Sequence, residues 1–141
     1  MIGLDTNILV RYFAQDDPTQ SRQATQIIER RLTEDRPGFV SLVTMAETVW
    51  VLQRAYNMSN GEIADIVERM LQSDTLSVQN EQEVFTAMIS LRTGKGSFSD
   101  SLIEALGTWA GCTSTLTFDR KAARLKGFEL PLKINTRPSR A

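Results

Sequence analysis

Ile2-Gly-Leu-Asp-Thr-Asn-Ile-Leu-Val-Arg-Tyr-Phe13 changes its hydrophobic period at one carboxylate. Ile2 to Leu4 is a short apolar run that reads as a strand. After Asp5, residues Ile8, Leu9, Tyr12 and Phe13 recur at helical spacing. A strand passing straight into a helix is the opening of an α/β fold. It puts Asp5 at the carboxyl edge of the sheet, where open α/β folds bind ligands. Asp is also an ordinary helix N-cap, so a purely local role stands beside the functional one. Thr6 and Asn7 can orient Asp5 or hold a water, and they equally suit a helix start.

The rest of the chain repeats the alternation. Phe39–Val40, Leu76–Val78 and Thr115–Phe118 are further strand candidates, with Leu132–Ile134 weaker. A second helix is expected from Asp16-Asp17-Pro18, with Ala24, Ile27, Ile28 and Leu32 inward. Pro37-Gly38 ends the connection after it. A third helix should run from about Val43 to Tyr56, and Ser59-Asn-Gly-Glu62 is a capping box that opens a fourth. A fifth covers about Glu81 to Leu91. The loop from Arg92 to Phe98 leads into a sixth, which Gly111 ends. The reading is a three-layer α/β fold, with a central, mostly parallel sheet flanked by helices.

Three more acids matter. Asp119 closes Thr115-Leu-Thr-Phe118 as Asp5 closes the first run, and two such strands side by side would bring the carboxylates together. Glu47 interrupts the apolar Val43-Thr-Met-Ala-Glu-Thr-Val-Trp-Val-Leu52 and falls on a stripe with Thr44, Thr48 and Arg54. That stripe can also be a plain polar face. Asp100 lies in Ser97-Phe-Ser-Asp-Ser-Leu-Ile103, where Ser99 or Asp100 could cap the helix. Glu104 follows one turn later as an outer ligand. Converging carboxylates repel one another unless a cation joins them, and an all-oxygen donor set suits Mg²⁺ or Mn²⁺.

What is missing narrows the chemistry. The chain has 141 residues, no histidine and one cysteine, Cys112. Histidine bases, Ser-His-Asp catalysis and His-ligated zinc are excluded. Hydrophobic residues at 41 % and charged residues at 23 % fit one globular domain. No apolar stretch is long enough to span a membrane, and no basic, apolar leader opens the chain, so the cytoplasm is the default. Net charge is −1, yet residues 120–141 hold seven basic residues and one acid. A basic end beside an acidic pocket suits a phosphodiester polymer, although a solvated surface would look the same.

As a set, Leu4-Asp-Thr-Asn7, Glu47 in an early helix, Phe98-Ser-Asp-Ser-Leu-Ile103 and Thr117-Phe-Asp-Arg-Lys121 resemble the PIN-domain nucleases. The match looks closest to the VapC-like toxins of bacterial toxin–antitoxin pairs. It covers Met1 to about Lys133. A single domain is expected over residues 1–135, with a short basic tail at 136–141. The resemblance implies a Mg²⁺- or Mn²⁺-dependent endoribonuclease inhibited by a small antitoxin. It implies that Asp5, Glu47, Asp100 and Asp119 are the acidic quartet, catalytic and metal-binding. Thr6, Asn7, Thr117 and Glu104 would support them. Arg120, Lys121 and Arg124, just after Asp119, are expected to bind RNA phosphates. It also implies a homodimer, for which the apolar load of the third and fourth helices (Met45, Val49, Trp50, Leu52, Ile63 and others) offers physical support.

Rival readings are a PIN-like module that binds RNA or protein without cutting, a phosphohydrolase of small esters and a phosphorylated receiver. The phosphohydrolase needs a second Asp where Asn7 stands. The receiver needs an acidic pair directly after the first strand, whereas Asp16-Asp17 comes after a helix.

Overall fold

The computed structural model describes residues 1–131, so the weak strand at Leu132–Ile134 and the basic tail lie outside the described residues. The fold is α/β. A parallel three-stranded sheet has the order β1 (Ile2–Gly3), β2 (Gly38–Val40), β3 (Leu76–Val78). Ile2 stands opposite Gly38, and Gly38 opposite Leu76. Six helices flank the strands: α1 (Thr6–Ala14), α2 (Pro18–Gln26), α3 (Leu42–Arg54), α4 (Asn60–Gln72), α5 (Glu81–Arg92) and α6 (Phe98–Trp109).

Local chemistry sets the helix starts. Asp17 caps α2, accepting from the Gln20 N–H, with Pro18 as the first helical residue. Ser59 and Glu62 form both halves of the expected capping box on α4. The cap of α6 is Ser97, not Ser99 or Asp100: its Oγ accepts from the Asp100 N–H at 3.1 Å. Asp100 therefore sits inside the first turn. Gly111, at φ +95°, lies just past α6, in the left-handed region where glycine is at ease. A π-helical turn, Ile27–Arg31, extends α2. Gly38 is needed where β2 starts, since a Cβ there would sit 2.8 Å from both Leu32 Cδ1 and Leu4 Cδ1.

One core joins the elements. Leu9, Val40, Met45, Leu52, Ile63 and Val67 are fully buried in it, and Val49, Ile66 and Met70 join them. This corrects the physical support for a dimer. The apolar load of α3 and α4 packs mostly inward, and of the residues invoked only Trp50 stays largely exposed, at 56 %.

A second correction concerns the strand before Asp119. β4 (Thr115–Leu116) pairs in parallel with β5 (Phe128–Glu129), a strand not foreseen, and not with β1. The β4–β5 pair leans on α6. A Cβ at Gly107 would meet Thr115 Oγ1 at 2.8 Å, one at Gly96 would meet Leu125, and one at Gly127 would overlap the Glu104 side chain. Each strand of the pair is two residues long, and beside it Leu116 and Phe118 project outward, 65 % and 90 % exposed.

Candidate functional site

Two of the four acids line one cleft. Asp5 follows β1 and caps α1, its Oδ1 accepting from the Thr6 N–H at 2.7 Å. Glu47 lies in the second turn of α3, which follows β2. Because β1 and β2 are adjacent and parallel, both acids emerge at the carboxyl edge of the sheet. They line one open cleft of about 300 Å³, together with Thr6, Asn7, Arg11 and Tyr56. Both carboxylates are exposed. Thr6 is buried and supports the turn, whereas Asn7 faces the cleft.

The expected stripe of Glu47 is only partly right. Thr48 is 0 % exposed and turns into the core, its hydroxyl without a partner among the described residues. Glu47 instead shares its face with Val51, which also lines the cleft.

Asp100 and Asp119 do not line this cleft. Asp119 plays the same local role as Asp5. Its Oδ1 accepts from the Lys121 N–H at 2.8 Å and the Ala122 N–H at 3.4 Å, while its own N–H donates to Thr117 Oγ1 at 3.0 Å. Thr117 thus bonds to the Asp119 backbone N–H and not to its carboxylate. Glu104 packs against Gly127 and lines a separate cleft with Glu83 and Trp109. Among the described residues, no three carboxylates come close enough to share an ion. Arg120, Lys121 and Arg124 are exposed around Asp119, and none is ion-paired with it. Arg124 lies on a 3₁₀ turn, Ala122–Arg124.

The pair that shares this cleft offers the donor chemistry of a hard cation. Mg²⁺ is commonly held by one or two carboxylates plus water and substrate phosphate, and Asp5 and Glu47 supply such a pair, with the Asn7 amide oxygen nearby. Neither nitrogen nor sulfur ligands compete there.

Sequence reasoning missed a network on the cleft wall. Arg11 Nη1 donates to both oxygens of Asp16 at 3.0 and 3.1 Å, and to the Tyr56 hydroxyl at 3.1 Å. Tyr56 donates to Asp16 Oδ2 at 2.6 Å, and Arg11 Nε donates to Gln20 Oε1 at 2.8 Å. The Tyr56 hydrogen bond, helped by Arg11, holds the Asp16 carboxyl below its usual range. The same bond to Asp16 raises the Tyr56 hydroxyl. Arg11 could have been found, since it sits one turn after Asn7 on α1. Tyr56 gave no local signal, because it arrives from the far end of α3.

Comparison with known proteins agrees with the fold. A family model described as PIN domain matches residues 2–127. No curated protein and no solved structure matches the chain.

Proposed function

Because the chain belongs to the PIN domain family, whose members are generally metal-dependent nucleases, we propose that it is a Mg²⁺- or Mn²⁺-dependent endoribonuclease, and the VapC-like toxin of a toxin–antitoxin pair. The observation that carries this reading is that Asp5 and Glu47 line one open cleft at the carboxyl edge of the sheet.

Asp5 and Glu47 would hold the ion. When bound, a divalent ion lowers the pKa of a water and neutralises charge on the phosphoryl oxygens. Asp5 is oriented for this by the Thr6 N–H, which occupies Oδ1 and leaves Oδ2 to face outward demands. Asn7 supplies an amide beside it, able to hold a water or a substrate hydroxyl. Attack by water in line with the 3′-oxygen leaves a 5′-phosphate and a 3′-hydroxyl. Asp100 and Asp119, with Thr117 behind Asp119, would complete the quartet from the α6 and β4–β5 side. Arg120, Lys121 and Arg124 would hold phosphates of the RNA beyond the cut. A small antitoxin and a second copy of the chain are the proposed partners. Val43 and Trp50, one above the other on α3, are the exposed apolar residues that this helix offers for such contacts.

The second reading, a PIN-like module that binds without cutting, draws on the absence of any three-carboxylate cluster among the described residues. One experiment separates the two. Purified protein is incubated with total RNA and Mn²⁺, with and without EDTA, and the cut ends are sequenced. New 5′-phosphate ends that vanish with EDTA support the nuclease, and unchanged RNA across metals supports the binder.

A further inference from the structure

A second cleft lies beside the acidic one, between α1 and α2 and the π turn, with a volume of about 630 Å³. The two clefts share a wall, since Asn7 and Arg11 line both. The chemistry changes across that wall. The acidic cleft carries Asp5 and Glu47. The second has no carboxylate in its lining, and its charged residues are Arg11 and Arg31. Gln23 and Gln26 add amides, while Ile8 and Ile27 supply apolar surface.

Arg11 is set firmly in this wall. Its Nε and Nη1 are occupied by Gln20, Asp16 and Tyr56, and Nη2 has no bonded acceptor among the described residues. A guanidinium anchored through Nε and Nη1 leaves Nη2 to an incoming anion with little ordering left to do. Arg31 has no ion pair among the described residues.

We infer that the α1–α2 cleft is a nucleotide subsite, holding the RNA residue next to the scissile phosphate. This rests on the nuclease reading above. The phosphate meets Arg11 on the shared wall. The base enters the second cleft, against Ile8 and Ile27, with its edge toward Gln23 and Gln26 and its outer side toward Arg31. Amides carry a donor and an acceptor together, which is what reading a base edge needs. Proteins recognise single-stranded RNA by such edges and by stacking on apolar or guanidinium surfaces. The volume falls within the usual range for small-ligand pockets, about 300–1,000 Å³.

The test uses the full chain and four fluorescein-labelled homohexaribonucleotides, without divalent metal. Gln23→Leu with Arg31→Ala, both exposed positions, should weaken binding of the preferred hexanucleotide about tenfold. The salt slope should change little, because the phosphate contact is Arg11's, with melting temperature unchanged. In the Mn²⁺ cleavage assay the same variant should lose base preference at one position beside the cut. Unchanged affinity and unchanged base preference would overturn the subsite even if cleavage is robust. So would a variant that keeps its RNA affinity but no longer captures a coexpressed antitoxin, because the cleft would then hold protein. If the wild-type protein cuts nothing but hexanucleotide binding still depends on Gln23 and Arg31, the cleft's hold on a nucleotide stands, and the nuclease reading falls together with the placement beside a scissile phosphate.

Discussion

Asp5 shows how much one residue can say. The change of period around it was visible in the sequence, and the structure gives it the helix-capping role as well. The two roles can be separated. Asparagine caps about as well as aspartate, so Asp5→Asn should fold normally. RNA cleavage should fall by more than about 100-fold, beyond the 10–100-fold typical of changes to a ligand's supporting residues. Glu47→Gln should do the same. Circular dichroism and a Mn²⁺-dependent cleavage assay check both, and full activity in a folded variant removes the residue from the site. Asp16 offers a test on pH. Its carboxyl lies below 3.8, chiefly through the Tyr56 hydrogen bond. A depressed carboxyl stabilises the fold above its unfolded pKa, near 3.8, and that gain is lost as pH falls through the lower folded value. Tyr56→Phe should raise the Asp16 value, seen by carboxyl NMR titration, and shift acid unfolding to higher pH. A titration curve identical to wild type would show that the bond does not act as described. None of this network could be read locally, since Arg11, Asp16 and Tyr56 belong to three different segments.

Among the elements, helices were more legible than strands. Ser59 and Glu62, or Asp17 and Pro18, act on their immediate neighbours, so their effect is written in consecutive residues. Ser59→Ala should lower stability by about 1 kcal/mol in urea unfolding, the usual value of such a cap. α3 holds a less expected case. Thr48 is buried with no hydrogen-bond partner among the described residues, one position from Glu47. A buried hydroxyl without a partner costs about 1–3 kcal/mol. Thr48→Val, close in shape, should therefore raise the urea midpoint, and a fall would mean that the hydroxyl is bonded in solution. β4 and β5 were hardest to read. Strands of two residues carry no periodicity, and Phe128–Glu129 has no alternation to reveal it. What holds them is close packing on α6, where Gly107 and Gly127 leave room for Thr115 and Glu104. Gly107→Ala should loosen the pair, visible as faster amide exchange at Thr115 and Thr117, whose N–H groups bond to Gly127 and Glu129.

For the molecule as a whole, assembly is the open matter most easily tested. With Met45, Leu52, Ile63 and Val67 committed to the core, a dimer must use other surface, and Val43 at 77 % exposure and Trp50 at 56 % are the apolar residues α3 still offers. Sedimentation of the wild type should show a dimer at micromolar concentration, and Val43→Asp should shift it to monomer; a wild type that sediments as monomer throughout removes the dimer. No helix among the described residues is long and apolar enough to cross a membrane. The sequence by itself determined the α/β class and, among the described residues, six helices, four of the five strands and the carboxyl-edge placement of Asp5, because periodicity, caps and glycines act over a few residues. Only the tertiary structure decided that Glu47 lines the same cleft as Asp5, since that depends on β1 and β2 being parallel neighbours. It likewise decided that Asp119 does not line that cleft and that β4 bonds to β5, because strands of two residues carry no pattern that could choose between β1 and β5.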